Sequence, residues 1–165
     1  MKLIQSEILE TFTYKEGNLF WRIKPRQGVH IEDKVGYTTK RGHTIVRYKK
    51  INYKLHQLIF LYFKGYLPKL LDHIDGNPSN NQIENLRECT PNQNQWNRKL
   101  SYNNTSGHKG LIFHKRSKKW GSAIYVNCKR IWLGTFITKE EAAKAYNQAA
   151  IHYFEEFAKL NEVSL

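Results

Sequence analysis

Residues 71–98, LDHIDGNPSNNQIENLRECTPNQNQWNR, concentrate side chains that can do chemistry. Asp72 and His73 stand next to each other, Asp75-Gly76-Asn77 makes a tight turn, and Asn80, Asn81, Asn85, Asn94 and Asn97 follow. Such groups cost free energy when buried without partners, so this run is a poor way to build a core. It is a good way to hold one divalent cation beside one imidazole. Mg²⁺ accepts oxygen ligands, keeps several waters and needs only one or two protein groups. Asp72 and Asn94 can supply one oxygen each, and a neutral His73 can take a proton from water. Together these suit hydrolysis of a phosphodiester, whose own negative charge resists attack until a cation offsets it.

The elements around these residues must bring them together. The first strand of the run ends at Ile74, Asp75-Gly76 reverses the chain, and a second strand covers about Leu86 to Cys89. In a regular strand Asp72 and His73 point to opposite faces. Thr90 is a good N-cap, Pro91 fits the first helical position and Gln93 completes a capping box. That helix carries Asn94 on its first turn, and Asn97 replaces it as ligand if the register differs. Asp75 reads as a turn residue, and Asn77, Asn80 and Asn81 as loop-shaping residues. His56 heads an apolar helix and reads as a packing histidine. His30, His43, His108, His114 and His152 show no ligand spacing among themselves.

Upstream, Ile4, Ile8, Leu9 and Phe12 form one face of a short helix. Residues 13–54 read as β, with Leu19-Phe20-Trp21 after the turn Glu16-Gly17-Asn18. Leu55, Leu58, Ile59, Tyr62 and Phe63 recur at helical spacing until Gly65 stops the helix. Residues 101–107 are polar and read as a linker. Beyond it, three strands over 109–113, 119–126 and 129–136 precede a helix opened by the capping box Thr138-Lys139-Glu140-Glu141. Its expected buried face is Ala142, Ala145, Tyr146, Ala149 and Tyr153.

The chain has 165 residues and a formal net charge of +13, from 27 Lys+Arg against 14 Asp+Glu. That excess favours a polyanionic partner. No acidic residue lies between Glu88 and Glu140, an interval carrying Arg98, Lys99, Lys109, Lys115, Arg116, Lys119 and Arg130. Trp120 and Trp132 interleave with these cations and read as DNA contacts, with core packing the alternative for at least one of them. Arg87 reads as a phosphate contact or a surface cation. Cys89 and Cys128 lack zinc spacing, so no structural zinc is expected, and free thiols point to a reducing compartment. Lys64 and Lys69, with Gly65 and Pro68, break the most apolar stretch, which excludes a membrane span there.

The ordered series Asp72-His73-Ile74-Asp75-Gly76-Asn77, Asn80-Asn81, Ile83-Glu84-Asn85-Leu86-Arg87 and a capped helix with Asn94 resembles the ββα-metal motif of HNH endonucleases. The resemblance implies that His73 is the general base and that Asp72 and Asn94 hold Mg²⁺ or Mn²⁺, one ion per site. Asn85 matches the motif's middle Asn and orients His73 by tying down the loop. Residues 106–161 resemble the plant APETALA-two/ERF DNA-binding domain through Lys109-Gly110-Leu111, Lys119-Trp120, residues 129–136 and Glu140-Glu141-Ala142-Ala143. In that family the sheet enters the major groove of double-stranded DNA. Ile112, Ala123 and Tyr125 replace arginines of the plant pattern, so the plant target does not transfer.

The expected fold is therefore α+β. A β-rich region leads into the ββα-metal motif (domain 1–100, motif 70–99), followed by the linker and a three-stranded antiparallel sheet packed on one helix (108–165). As a whole the chain is similar to phage-type HNH homing endonucleases, which implies a cytoplasmic DNA-cutting enzyme. One site per chain nicks one strand, and cutting both takes a homodimer or a second event. The alternative is a non-catalytic DNA-binding regulator that keeps the same fold.

Overall fold

The computed structural model describes residues 3–163. Among them it shows four α-helices and four small antiparallel sheets. The chain divides into two compact units between Thr90 and Pro91. No helix among the described residues is long and apolar enough to cross a membrane.

The first unit opens with α1 (Gln5–Thr11) and a hairpin of β1 (Phe12–Lys15) and β2 (Asn18–Trp21). Glu16 and Gly17 both adopt positive φ, as a two-residue turn matched to strand twist requires. The helical face expected from Ile4, Ile8, Leu9 and Phe12 is only partly formed. Ile8 is buried, whereas Ile4 and Leu9 are exposed. Phe12 instead opens β1, where its ring packs between Trp21 and Tyr48.

Residues 22–36, expected within a β region, are irregular apart from a bridge between Phe20 and Lys34. Pro25 has no N–H to donate and Gly28 is left-handed, which interrupts pairing. A second sheet follows in the order β3 (Tyr37–Thr38), β4 (Thr44–Tyr48), β5 (Ile51–Lys54).

Next comes α2 (Leu55–Lys64), whose Leu55, Leu58 and Ile59 are fully buried against Ile8, Phe12, Leu19, Val35 and Val46. The Gln57 side chain accepts from the Lys54 N–H at 3.0 Å to start this helix. Gly65, at φ 80°, ends it by donating to the Leu61 carbonyl. The unit closes with β6 (Leu71–His73) paired to β7 (Leu86–Glu88), with a 3₁₀ turn at Ile83–Asn85 between them.

The second unit begins with α3 (Pro91–Trp96). Its sheet has the order β10-β9-β8, from β8 (Leu111–His114), β9 (Lys119–Val126) and β10 (Lys129–Phe136). Then α4 (Lys139–Phe154) is capped by Thr138, whose hydroxyl accepts from the Glu141 N–H while Glu141 accepts from the Thr138 N–H. Residues 101–107, read as a linker from composition, lie inside this unit as hydrogen-bonded turns around Asn104.

The buried face of α4 differs from the expected one. Ala142, Ala143, Tyr146, Ala150 and Phe154 are buried, while Ala145 and Ala149 are half-buried and Tyr153 is exposed. Phe154 sets this face by stacking on Trp96 at 4.4 Å, which draws the Ala142-Tyr146-Ala150-Phe154 row onto the core.

Candidate active site

Register places Asp72, His73 and Arg87 together in the first unit. Asp72 lies opposite Arg87, and His73 lies opposite Leu86. Opposed residues share a face and neighbours alternate. Asp72 and Arg87 therefore occupy one face of the β6–β7 pair, and His73 shares the other with Leu86. Leu86 belongs to the core that includes α2, so the imidazole looks toward the body of the unit.

Both Asp72 and His73 are buried. Asp72 Oδ2 accepts from Arg87 Nε at 3.1 Å and from its second terminal nitrogen at 3.0 Å. Arg87 is half-buried, and its cross-strand position makes this ion pair a direct product of register. The carboxylate is thereby held in one orientation.

Two further imidazoles flank His73. His56, on the first turn of α2, stands edge-on to it with centroids 4.8 Å apart and planes at 82°. His43 lies 6.2 Å from the His73 ring and 5.8 Å from His56. Its Nδ1 is buried with no hydrogen-bond partner among the described residues. Burial lowers the His56 pKa to about 3, with smaller contributions from His73, Lys54 and His43. His43 is also lowered, by burial and by Lys54, His73 and Arg41. His56 is thus a neutral wall rather than a competing cation.

This shift carries a stability consequence. His56 binds no proton in the native protein until near pH 3, whereas the unfolded chain takes one up near pH 6.5. Stability is therefore unpenalised above pH 6.5 and lost as pH falls. Between pH 7 and 4.5 the loss from this group is about 2–3 kcal/mol. Urea unfolding followed by Trp21 fluorescence should show His56→Phe losing less stability over that interval than the wild type, by about that amount. An equal loss in both would show that His56 does not titrate in this way.

The loop between β6 and β7 is closed by amides. Asp75 Oδ1 accepts from the Asn77 N–H at 2.7 Å and from Asn85 Nδ2 at 3.0 Å, and Oδ2 accepts from Asn80 Nδ2 at 2.8 Å. Burial alone would raise the Asp75 pKa, but these donors hold it below the usual carboxylate value. Asn85 accepts from the Asp75 N–H at 3.0 Å and donates to the Asn80 carbonyl at 2.8 Å. Asn81 is buried, and its Oδ1 lies 3.1 Å from His73 Nε2. By sequence alone Asn81 is a loop former, and its contact with His73 arises only when the loop folds back on β6.

Asn94 is half-buried on α3, and Asn97 is buried just past its end. Both belong to the second unit. Among the described residues no three His, Cys, Asp or Glu side chains converge as a metal cage. The buried Asp72 carboxylate is an oxygen donor of the kind a hard oxygen-seeking ion accepts.

The expected DNA-facing residues separate into two groups. Lys115, Arg116, Lys119 and Arg130 are exposed in the second unit, as are Arg98 and Lys99. Trp132 is 47% exposed and carries the Arg130 guanidinium 5.2 Å from its ring centroid. Gly121 makes room for this outer face, because a Cβ there would meet Trp132, His114 and Ile112. Trp120 instead packs against the second unit's core. Lys109 is half-buried and donates to the Trp96 carbonyl at 2.7 Å, and burial lowers its pKa to about 8. Cations absent from the sequence reading also line a groove of about 1080 Å³ on the first unit, where Arg26, Lys34 and Arg47 adjoin Trp21 and Tyr37.

Comparison with known proteins falls on the same residues. Residues 53–96, from the end of β5 to the end of α3, match the HNH endonuclease family. Protein 3.8 of Escherichia phage T7 is 43% identical over 67 residues, covering 41% of this chain and 53% of that protein. An uncharacterized HNH endonuclease of Acanthamoeba polyphaga mimivirus is 32% identical over 130 residues, covering 77% of this chain and 66% of its own length. An AP2/ERF and B3 domain-containing transcription factor of Arabidopsis thaliana is 43% identical over 53 residues, 32% of this chain and 15% of the relative. The chain thus spans 53% and 66% of the two viral relatives and a small part of the plant one. Around the β6–β7 hairpin, with its buried Asp72 and His73, the chain contains an HNH endonuclease domain.

Proposed function

We propose that this protein is a metal-dependent DNA endonuclease of the phage homing type. The observation that carries the reading is His73, buried beside Asp72 on a paired strand and hydrogen-bonded at its ring, inside residues that match HNH endonucleases. His73 takes the proton of the attacking water. Asp72 holds Mg²⁺ or Mn²⁺, and Asn94 is the second ligand that the motif supplies. A bound ion offsets charge on the phosphate and on the leaving 3′ oxygen. Asn85 keeps the loop closed through Asp75 and Asn80.

Double-stranded DNA is the substrate. The net charge of +13 and the likeness to AP2/ERF proteins support it. Arg130 and Trp132, with Lys119, Lys115 and Arg116, meet DNA on the outer face of the second unit's sheet. Arg98 and Lys99 grip phosphates. Each chain nicks one strand, in the cytoplasm of the cell that makes it.

One observation favours a second reading, a DNA-binding regulator without catalysis: Arg87 already neutralises Asp72. The two readings separate once protein is bound to supercoiled DNA. The enzyme opens the circle when Mg²⁺ or Mn²⁺ is added, and the regulator leaves it intact.

Arg87 has its own expected signature. As a residue that orients Asp72, its replacement by alanine raises the metal concentration for half-maximal cutting roughly 10-fold or more. The salt slope of DNA binding stays unchanged. A phosphate contact would instead reduce that slope by about 1 and leave the metal requirement alone. Binding across a salt series, with cleavage across a metal series, decides between them.

A further inference from the structure

The geometry around His73 assigns a role to Asn81 that rests on the reading of His73 as the base. The Asn81 amide has two neighbours. The Ser79 carbonyl, which only accepts, lies 3.3 Å from Asn81 Nδ2. That contact turns the amide nitrogen toward Ser79 and leaves Oδ1 facing the imidazole, 3.1 Å from Nε2. An amide oxygen cannot donate, so Nε2 must carry the proton. In a neutral imidazole the lone pair then lies on Nδ1.

Asn81 is only 3% exposed, so water does not readily replace its oxygen. The loop bearing it is pinned at the two residues that precede it. Ser79 O–H donates to the Gly42 carbonyl, and the Asn80 carbonyl accepts from Asn85. His56 edge-on and His43 at 6.2 Å restrict rotation of the His73 ring. Tautomer and ring plane are therefore both set before any substrate arrives.

We propose that Asn81 is a positioning residue that holds His73 in the Nε2–H form, making Nδ1 the atom that accepts the proton in hydrolysis. A proton passes from water to Nδ1, and the hydroxide oxygen forms the new bond to phosphorus. The bond from phosphorus to the 3′ oxygen breaks, and that oxygen takes a proton from solvent. Asn81 Oδ1 keeps accepting from Nε2–H throughout, and so faces the imidazolium as it forms.

The test reads the tautomer directly. Long-range proton–nitrogen spectra of ¹⁵N-labelled full-length protein at pH 8 separate protonated from bare ring nitrogens, and comparison with His73→Ala identifies the His73 signals. The wild type should show Nε2 protonated and Nδ1 bare. Asn81→Leu should show a mixed tautomer and a kcat for nicking about 100-fold lower, with KM for DNA within about twofold. Asn81→Asp retains an acceptor and should retain the wild-type tautomer. A bare Nε2 in the wild type overturns the proposal whether or not any variant folds. So does an Asn81→Leu protein with wild-type tautomer and rate. If His73→Ala nicks as fast as the wild type, the base reading itself fails, whatever Asn81 does.

Discussion

Replacing His73 with alanine is expected to slow DNA nicking by roughly 10²–10⁴-fold, the usual worth of a positioned general base. DNA binding should hold within about twofold, because the ring faces α2 and Asn81 rather than a cationic surface. The variant also removes a buried ring from a cluster of three, so its fold needs its own check. Far-ultraviolet circular dichroism and the urea midpoint serve that purpose, and His73→Gln, which fills more of the space, should fold as well and cut as poorly. A folded His73→Ala protein that nicks within threefold of the wild type would remove the base from the account.

The second large effect lies in the other unit. Gly110 has φ of +73°, and a Cβ built there would fall 2.2 Å from the Tyr146 ring and 2.4 Å from the Ala123 carbonyl oxygen. The carbonyl is backbone and cannot step aside. The Gly110 carbonyl also accepts from the Ala123 N–H at 2.9 Å, which fixes the approach of the two segments. Gly110→Val therefore combines a strained conformation with overpacking against α4, a cost of about 3–6 kcal/mol. The second unit should unfold at much lower urea, read by the fluorescence of Trp120 and Trp132. The sheet face that carries Arg130 and Trp132 would be lost with it, and DNA binding should weaken accordingly. A shift under about 1 kcal/mol would mean that the backbone adjusts where the packing says it cannot.

Local signals made much of this molecule legible in its sequence. Gly65 ending α2, Thr138 and Glu141 opening α4, Pro91 beginning α3 and the span of β9 all follow from neighbours within a few residues. Asp72 beside His73 stands out in the sequence because such side chains are costly to bury without partners, and both are buried. What stayed hidden depends on contacts between distant segments. His43, His56 and His73 come from β-rich chain, helix and strand, and only the packing of α2 joins their rings. The Asp72–Arg87 pair depends on a register that no single strand specifies. The buried row of α4 was misread because the alanines at 142, 143, 145, 149 and 150 are interchangeable to a pattern, while Phe154 on Trp96 chooses among them. Phe12 continued a helical spacing, yet its backbone gains more by opening a hairpin between Trp21 and Tyr48.

The central claim is a histidine base that works with a divalent ion on DNA. Its most direct measurement is the nicking rate of one wild-type preparation on supercoiled phage or plasmid DNA, first with Mg²⁺ or Mn²⁺, then with EDTA, then with the ion restored. The account predicts open circles that form with the ion, stop with EDTA and resume when it returns. DNA that stays bound and uncut in every ion would contradict it and leave a DNA-binding protein that keeps the HNH fold without its chemistry.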